Sequence, residues 1–122
     1  MDTWGVGKLA SAVKPAGQSL DAQAQMNLLW TENRSMLLER LDMLERECWR
    51  WLRVPDDLAA GVIVRDLSHK MAAVLGTFGM KRGSLVAASI ERMVAMPRYA
   101  RGSGKTLYAL LSELRQIVRA KS

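Results

Sequence analysis

Apolar and polar positions alternate with a helical period along most of the chain. Between residues 37 and 51, apolar side chains recur at spacings of four, three, four and three, the period of helices packed in a bundle. This seam consists of Leu37, Leu41, Leu44, Cys48 and Trp51. We predict that the seam is buried and that Cys48 serves as a small apolar residue, not as a reactive thiol.

The helical pattern extends from residue 18 to residue 53, and a single helix over that range would be about 54 Å long. A domain of this size is expected to be more compact than that. We therefore predict a break at the polar run 31–34, with Thr31 or Asn33 as the N-cap of the second helix.

Three further amphipathic segments follow. Pro55 with two carboxylates after it predicts a helix start, and Gly79 predicts the end of that helix after Phe78. The next helices are predicted over residues 81–96 and 105–120, and short connections favour antiparallel neighbours. The predicted common core is Leu41, Leu44, Met71, Val74, Leu111 and Leu114.

No stretch shows the alternation of a β-strand, so the predicted fold class is all-α. We predict an antiparallel four-helix bundle with one or two N-terminal covering helices. Residues 1–17 are predicted to form an N-terminal arm or short helix, and residues 18–122 the helical bundle domain. Docking of residues 1–17 over the bundle is an equal alternative to a mobile arm.

Composition limits the function in several ways. The 122 residues are 49% hydrophobic, enough for one domain with a real core, and the net charge of +6 favours acidic partners. A single cysteine and a single histidine predict neither an internal disulfide nor a transition-metal site. The chain has no apolar run of about 20 residues and no signal-peptide pattern, so we expect no membrane partner and a cytoplasmic protein.

The single histidine, His69, lies within the most informative stretch. Leu67, Met71, Val74 and Phe78 form one apolar stripe, and His69 is two residues from the first two of them. At about 100° per residue, this offset turns the imidazole roughly 160–200° away from the stripe. His69 is therefore predicted to be exposed. The small residues after it on the same face are Ala72, Ala73 and Gly76, which would leave it accessible to a large partner.

This stretch resembles the motif of histidine-containing phosphotransfer (HPt) domains, and the resemblance covers roughly residues 33 to 121. The family has a phosphoacceptor histidine, then an apolar residue two positions on and a glycine ten positions on; here these are His69, Met71 and Gly79. A later apolar–acidic pair is matched by Ile90 and Glu91. The family's lysine and glycine three and four positions after the histidine are Ala72 and Ala73 here, and Gly83 replaces a usual leucine.

The resemblance implies a phosphocarrier in a two-component phosphorelay, in which His69 accepts a phosphoryl group from an aspartate of a receiver domain. It does not imply an enzyme that turns over a small substrate. The implied partners are a response-regulator receiver domain or a hybrid histidine kinase, and the protein itself is expected to be a monomer without a cofactor. Mg²⁺ would come from the receiver domain. Four cations could assist at the partner surface: Arg65, Lys70, Lys81 and Arg82.

Other interpretations remain open. Because Ala72 replaces the lysine, the chain could dock a receiver or kinase without efficient phosphotransfer. A basic nucleic-acid-binding protein is a weaker alternative, because the positive charge is spread over several helices and no recognition helix stands out. The stretch around His69 also resembles, more weakly, the phosphoacceptor box of sensor histidine kinases. Residues 102–106 are similar to the end of a phosphate-binding loop, but Tyr99 replaces its first glycine and no strand precedes it, so nucleotide binding is not expected.

Overall fold

Four α-helices account for almost all of the chain that the structure, a computed structural model, describes: residues 19–54, 58–96 and 104–121. The helices are α1 (Ser19–Arg53), α2 (Leu58–Thr77), α3 (Lys81–Ala95) and α4 (Gly104–Ala120). These described ranges contain no β-strand, so the predicted all-α class is confirmed. The predictions for residues 1–17, for the turn at 55–57 and for the loop at 98–103 lie outside the described residues.

The helices form a closed ring of neighbours. Both α1 and α3 pack against α2 and α4. Trp30 in the first half of α1 contacts Phe78 just beyond the end of α2, whereas Trp51 near the end of α1 lies against Gly61 near the start of α2. These two helices are therefore antiparallel. The other neighbouring helices are antiparallel as well, as the contacts Ala72–Ser84, Gly83–Ile117 and Arg34–Arg119 show.

The core lies where the apolar stripes of all four helices meet. All six residues of the predicted common core are buried. The α1 seam is buried over its whole length, and Cys48 within it has no exposed surface. Burial raises the pKa of the Cys48 thiol to about 12, with Glu45 and Glu47 adding to the rise, so the thiol stays protonated and unreactive.

The predicted break in the first helix is wrong. α1 is one continuous helix of 35 residues, and the polar run 31–34 lies within it. Thr31 and Asn33 do not cap a second helix; their side chains donate to the carbonyls of Asn27 and Leu29, one turn earlier, at 3.0 and 2.7 Å. The covering helix predicted before the break is therefore the N-terminal part of α1.

Trp30 explains why α1 continues through this polar run. Its side chain is fully buried, with its ring edge-to-face against Phe78 at 5.0 Å. The indole Nε1 donates to the carbonyl of Lys121, which follows α4, at 3.1 Å. Tertiary packing at this end of the bundle thus holds the helix across a sequence whose local pattern favours a break.

The turn between α2 and α3 follows the prediction for Gly79. Its φ of 78° is in the left-handed region, and Gly79 is the only residue among those described that has a positive φ. The amide of Met80 donates to the carbonyl of Leu75, and that of Gly79 to the carbonyl of Gly76, at 2.9 and 3.0 Å. This pair of bonds is the Schellman ending of a helix, and it turns α3 back along α2.

We expect Gly79→Ala to lower the free energy of unfolding by about 1–2 kcal/mol, the cost of a left-handed conformation for a residue with a Cβ. No atom lies within 4 Å of the position that the new Cβ would take, so the effect comes from the backbone alone. Urea unfolding followed by circular dichroism measures it. Gly76→Ala is the matched control, because Gly76 lies in a regular helix; equal stability losses in the two variants would contradict the assignment.

Candidate functional site

His69 lies in the middle of α2, on the face turned away from the core. Its side chain is 72% exposed, whereas Leu67, Met71 and Val74 on the apolar stripe are buried. The exposure predicted from the two-residue offset is therefore confirmed. The buried polar residue next to it, Ser68, bonds to the carbonyl of Val64 at 2.6 Å and so is satisfied within its own helix.

Glu91 of α3 holds one ring nitrogen of His69. The His69 Nδ1 atom lies 3.3 Å from Glu91 Oε1 and 3.2 Å from Oε2. An ionised carboxylate can only accept hydrogen bonds, so this contact requires a proton on Nδ1. In the neutral ring the lone pair is then on Nε2. The α2–α3 contact thus presents an exposed imidazole whose free nucleophilic nitrogen is Nε2.

We expect ¹⁵N NMR at alkaline pH to show His69 mainly as the Nδ1–H tautomer, because the Glu91 carboxylate stabilises that form. Free histidine in water prefers the Nε2–H form, so Glu91→Ala should shift the ring toward it. Glu113→Ala removes a carboxylate of α4 that is bonded to Arg82 and should leave the tautomer unchanged. An Nε2–H ring in the wild-type protein would refute the assignment.

An open depression surrounds His69 at the junction of α2 and α3. We call it the His69 depression; its lining residues are Val62, Arg65, Asp66, His69 and Glu91. It combines one exposed apolar side chain, Val62, with charged groups of both signs. It is an open surface and not an enclosed cavity, which suits contact with another macromolecule better than capture of a small molecule.

The four cations proposed from the sequence do not come together around His69. Arg65 lines the His69 depression. Lys70 pairs with Asp66 at 3.3 Å. Arg82 forms a two-bond contact with Glu113 of α4, and these hydrogen bonds also lower the pKa of the Glu113 carboxyl group.

Lys81 is exposed, but it starts α3 ten residues before Glu91, which is about 15 Å along the helix axis. It therefore lies nearer to the turn at the end of α2 than to the imidazole. In the part of the chain that the structure describes, Arg65 is the only one of these four cations that lines the His69 depression.

The small residues that follow His69 have two environments. Ala73 and Gly76 are exposed, as the sequence predicts for an accessible face. Ala72 is half-buried, because Ser84 of α3 donates to its carbonyl at 2.8 Å. A Cβ on Gly76 would lie 3.5 Å from the same hydroxyl group, so the small side chains also allow α3 to approach α2.

Three residues of the depression were not predicted as site residues. Glu91 appears in the sequence only as part of the apolar–acidic pair, and its contact with His69 depends on the register between α2 and α3. Val62 and Asp66 are two turns and one turn before His69 on the same face, so their spacings of seven and three could have indicated them.

The described residues contain no group of three or more His, Cys, Asp or Glu side chains that could hold a metal ion. None of the helices in the described ranges is long and apolar enough to cross a membrane. No family model, curated protein or solved structure matches the chain. The four-helix bundle and the histidine–carboxylate pair on its surface are therefore the features that bear on the function.

Proposed function

We propose that the protein is a histidine phosphotransfer protein of a two-component phosphorelay, which accepts and passes on a phosphoryl group through His69. One observation carries the proposal: an imidazole that is 72% exposed is held at Nδ1 by Glu91, which leaves the free lone pair on Nε2. A buried histidine would be inaccessible to another protein. A histidine without a partner at Nδ1 would have neither a fixed ring orientation nor a fixed tautomer.

The transfer step needs little more from this chain than a positioned nucleophile. The Nε2 lone pair forms the N–P bond while the P–O bond to the donor aspartate breaks, and the aspartate carboxylate leaves with the electron pair. The imidazole ring gains positive charge as the bond forms, and the Glu91 carboxylate beside Nδ1 offsets that charge. The reverse step passes the phosphoryl group to the next aspartate, and no proton has to move.

The same face offers a surface for a receiver domain. Val62 is 60% exposed at one side of the His69 depression, and Ala73 and Gly76 project almost nothing on the other side. A receiver has to bring its aspartate to within bonding distance of Nε2, and bulky side chains at these positions would hold it away. The receiver domain would also supply the Mg²⁺ that neutralises the transferred group.

The test is incubation with a panel of receiver domains phosphorylated on aspartate. We expect transfer of label to this chain in an acid-labile, base-stable form, which is the behaviour of phosphohistidine and not of a phosphoester. Mass spectrometry should place the label on His69. Absence of transfer from every receiver domain, with the protein folded, would refute the proposal.

A second candidate function follows from Ala72, where HPt domains have a lysine. On this alternative the protein binds a receiver domain or a hybrid kinase through the same face but transfers phosphate poorly. A binding titration by calorimetry beside the transfer assay separates the two candidates. Saturable binding without label on His69 would favour the interaction protein.

A further inference from the structure

Phosphoryl transfer to His69 places new negative charge beside Nε2, and this charge needs a partner. Charge neutralisation by a nearby cation is one of the main contributions that a protein makes to phosphoryl transfer. An arginine suits the role because its planar guanidinium can donate two hydrogen bonds to phosphate oxygens. Ala72 cannot contribute such a cation, so the chain needs another residue on the same edge of α2 as Ala72.

Helix geometry identifies the residue on that edge. Residues seven apart in an α-helix differ by only about 20° around the axis, so Arg65 and Ala72 lie on the same edge of α2. His69 is between them along the axis, about one turn from each. This edge faces α3, because Ser84 bonds the carbonyl of Ala72 and Glu91 meets the imidazole. Arg65 is therefore the counterpart of Ala72 on the other side of His69.

The charged neighbours leave Arg65 available for an incoming anion. Of the two carboxylates in the His69 depression, Glu91 is engaged by the imidazole and Asp66 by Lys70. The Arg65 side chain is exposed and has no hydrogen bond or ion pair with any residue that the structure describes. Its backbone carbonyl contributes only to the helix and to a contact from Ser68.

The other nearby cations are less suitable. Lys70 is about 100° around α2 from His69, on the side away from α3, and is paired. Arg92 follows Glu91 on α3, but its guanidinium donates to Ser89 Oγ at 3.2 Å. Arg82 is bound to Glu113 on the opposite side of α3.

We propose that Arg65 binds the oxygens of the phosphoryl group as it is transferred to His69 Nε2, from one turn before the histidine instead of one turn after it. This inference rests on the phosphotransfer function proposed above and adds the residue that neutralises the transferred group. It also accounts for the alanine at position 72, because a cation on the same edge of α2 makes a second one dispensable.

Phosphoramidate tests this without a partner protein. Nε2 attacks its phosphorus, the P–N bond breaks, and ammonia leaves after taking up a proton from water. The rate of phosphorylation of His69 is followed by ³¹P NMR on the full chain, in the wild-type protein and in Arg65→Ala, Arg65→Lys and the double variant Arg65→Ala/Ala72→Lys. Lys81→Ala is the matched control, because it removes an exposed cation from the same two helices away from the imidazole. Circular dichroism confirms that each variant is folded.

We expect Arg65→Ala to slow phosphorylation about three- to tenfold, an effect between that of an exposed ion pair and that of a buried hydrogen bond to a charged group. Arg65→Lys should retain most of the rate, and the double variant should recover it by supplying the cation from the other side of His69. Equal rates in Arg65→Ala and Lys81→Ala would overturn the role of Arg65 while leaving the phosphocarrier function intact. A wild-type His69 that takes no phosphoryl group from phosphoramidate would overturn both proposals.

Discussion

His69→Gln should abolish transfer of a phosphoryl group from receiver domains while leaving the bundle folded. Glutamine has no nitrogen with a free lone pair, because its amide nitrogen is conjugated to the carbonyl, so it cannot form the N–P bond. Its side chain can still donate a hydrogen bond to Glu91 across the α2–α3 contact. The variant therefore removes the nucleophile and keeps the local geometry.

Two measurements on the same sample decide the outcome. Transfer of label should fall to background, whereas the free energy of unfolding should change by no more than about 0.5 kcal/mol, as is usual for exposed positions. Label that persists in His69→Gln would show that another residue is the acceptor. A large loss of stability would show that His69 is part of the core after all, in conflict with its 72% exposure.

The contrast between Glu91 and Arg65 shows what the sequence alone can specify at this site. His69 and Arg65 are on one helix, so their relative placement follows from helical geometry and could be predicted directly. Glu91 is 22 residues away in sequence, on another helix. Its contact with Nδ1 depends on how the turn at Gly79 sets α3 against α2, and periodicity carries no information about that register.

The continuity of α1 beyond Trp30 could not be predicted from the sequence. The helical pattern alone predicts one helix through residues 18–53, whereas the polar run at 31–34 and the expected compactness of the domain favour a break. The polar run is a local criterion, and compactness is an average property of domains of this size. The deciding interactions are between elements far apart in the chain: Trp30 with Phe78, and Trp30 with the carbonyl of Lys121. By contrast, the stripes that form the core were predictable because each one repeats within a single helix.

The largest stability effect should come from the α1 seam. Leu44 is fully buried among the residues of the core, where all four helices contribute side chains. Leu44→Ala removes three carbon atoms and leaves a cavity, and the neighbouring helices cannot close over it without disturbing their own packing. We expect a loss of about 2–5 kcal/mol in the free energy of unfolding, and a fall of roughly 10–20 °C in the melting temperature.

Leu28→Ala provides the matched control, because it makes the same truncation on the same helix at a side chain that is 59% exposed. Its effect should stay within about 0.5 kcal/mol, since little apolar surface returns to water and alanine favours the helix slightly. Urea and thermal unfolding of both variants measure the difference. If Leu44→Ala and Leu28→Ala were equally stable, the seam would not face the core and the register of α1 would have to be rotated. The placement of α2, which packs against that seam and presents His69 on its other side, would then fail with it.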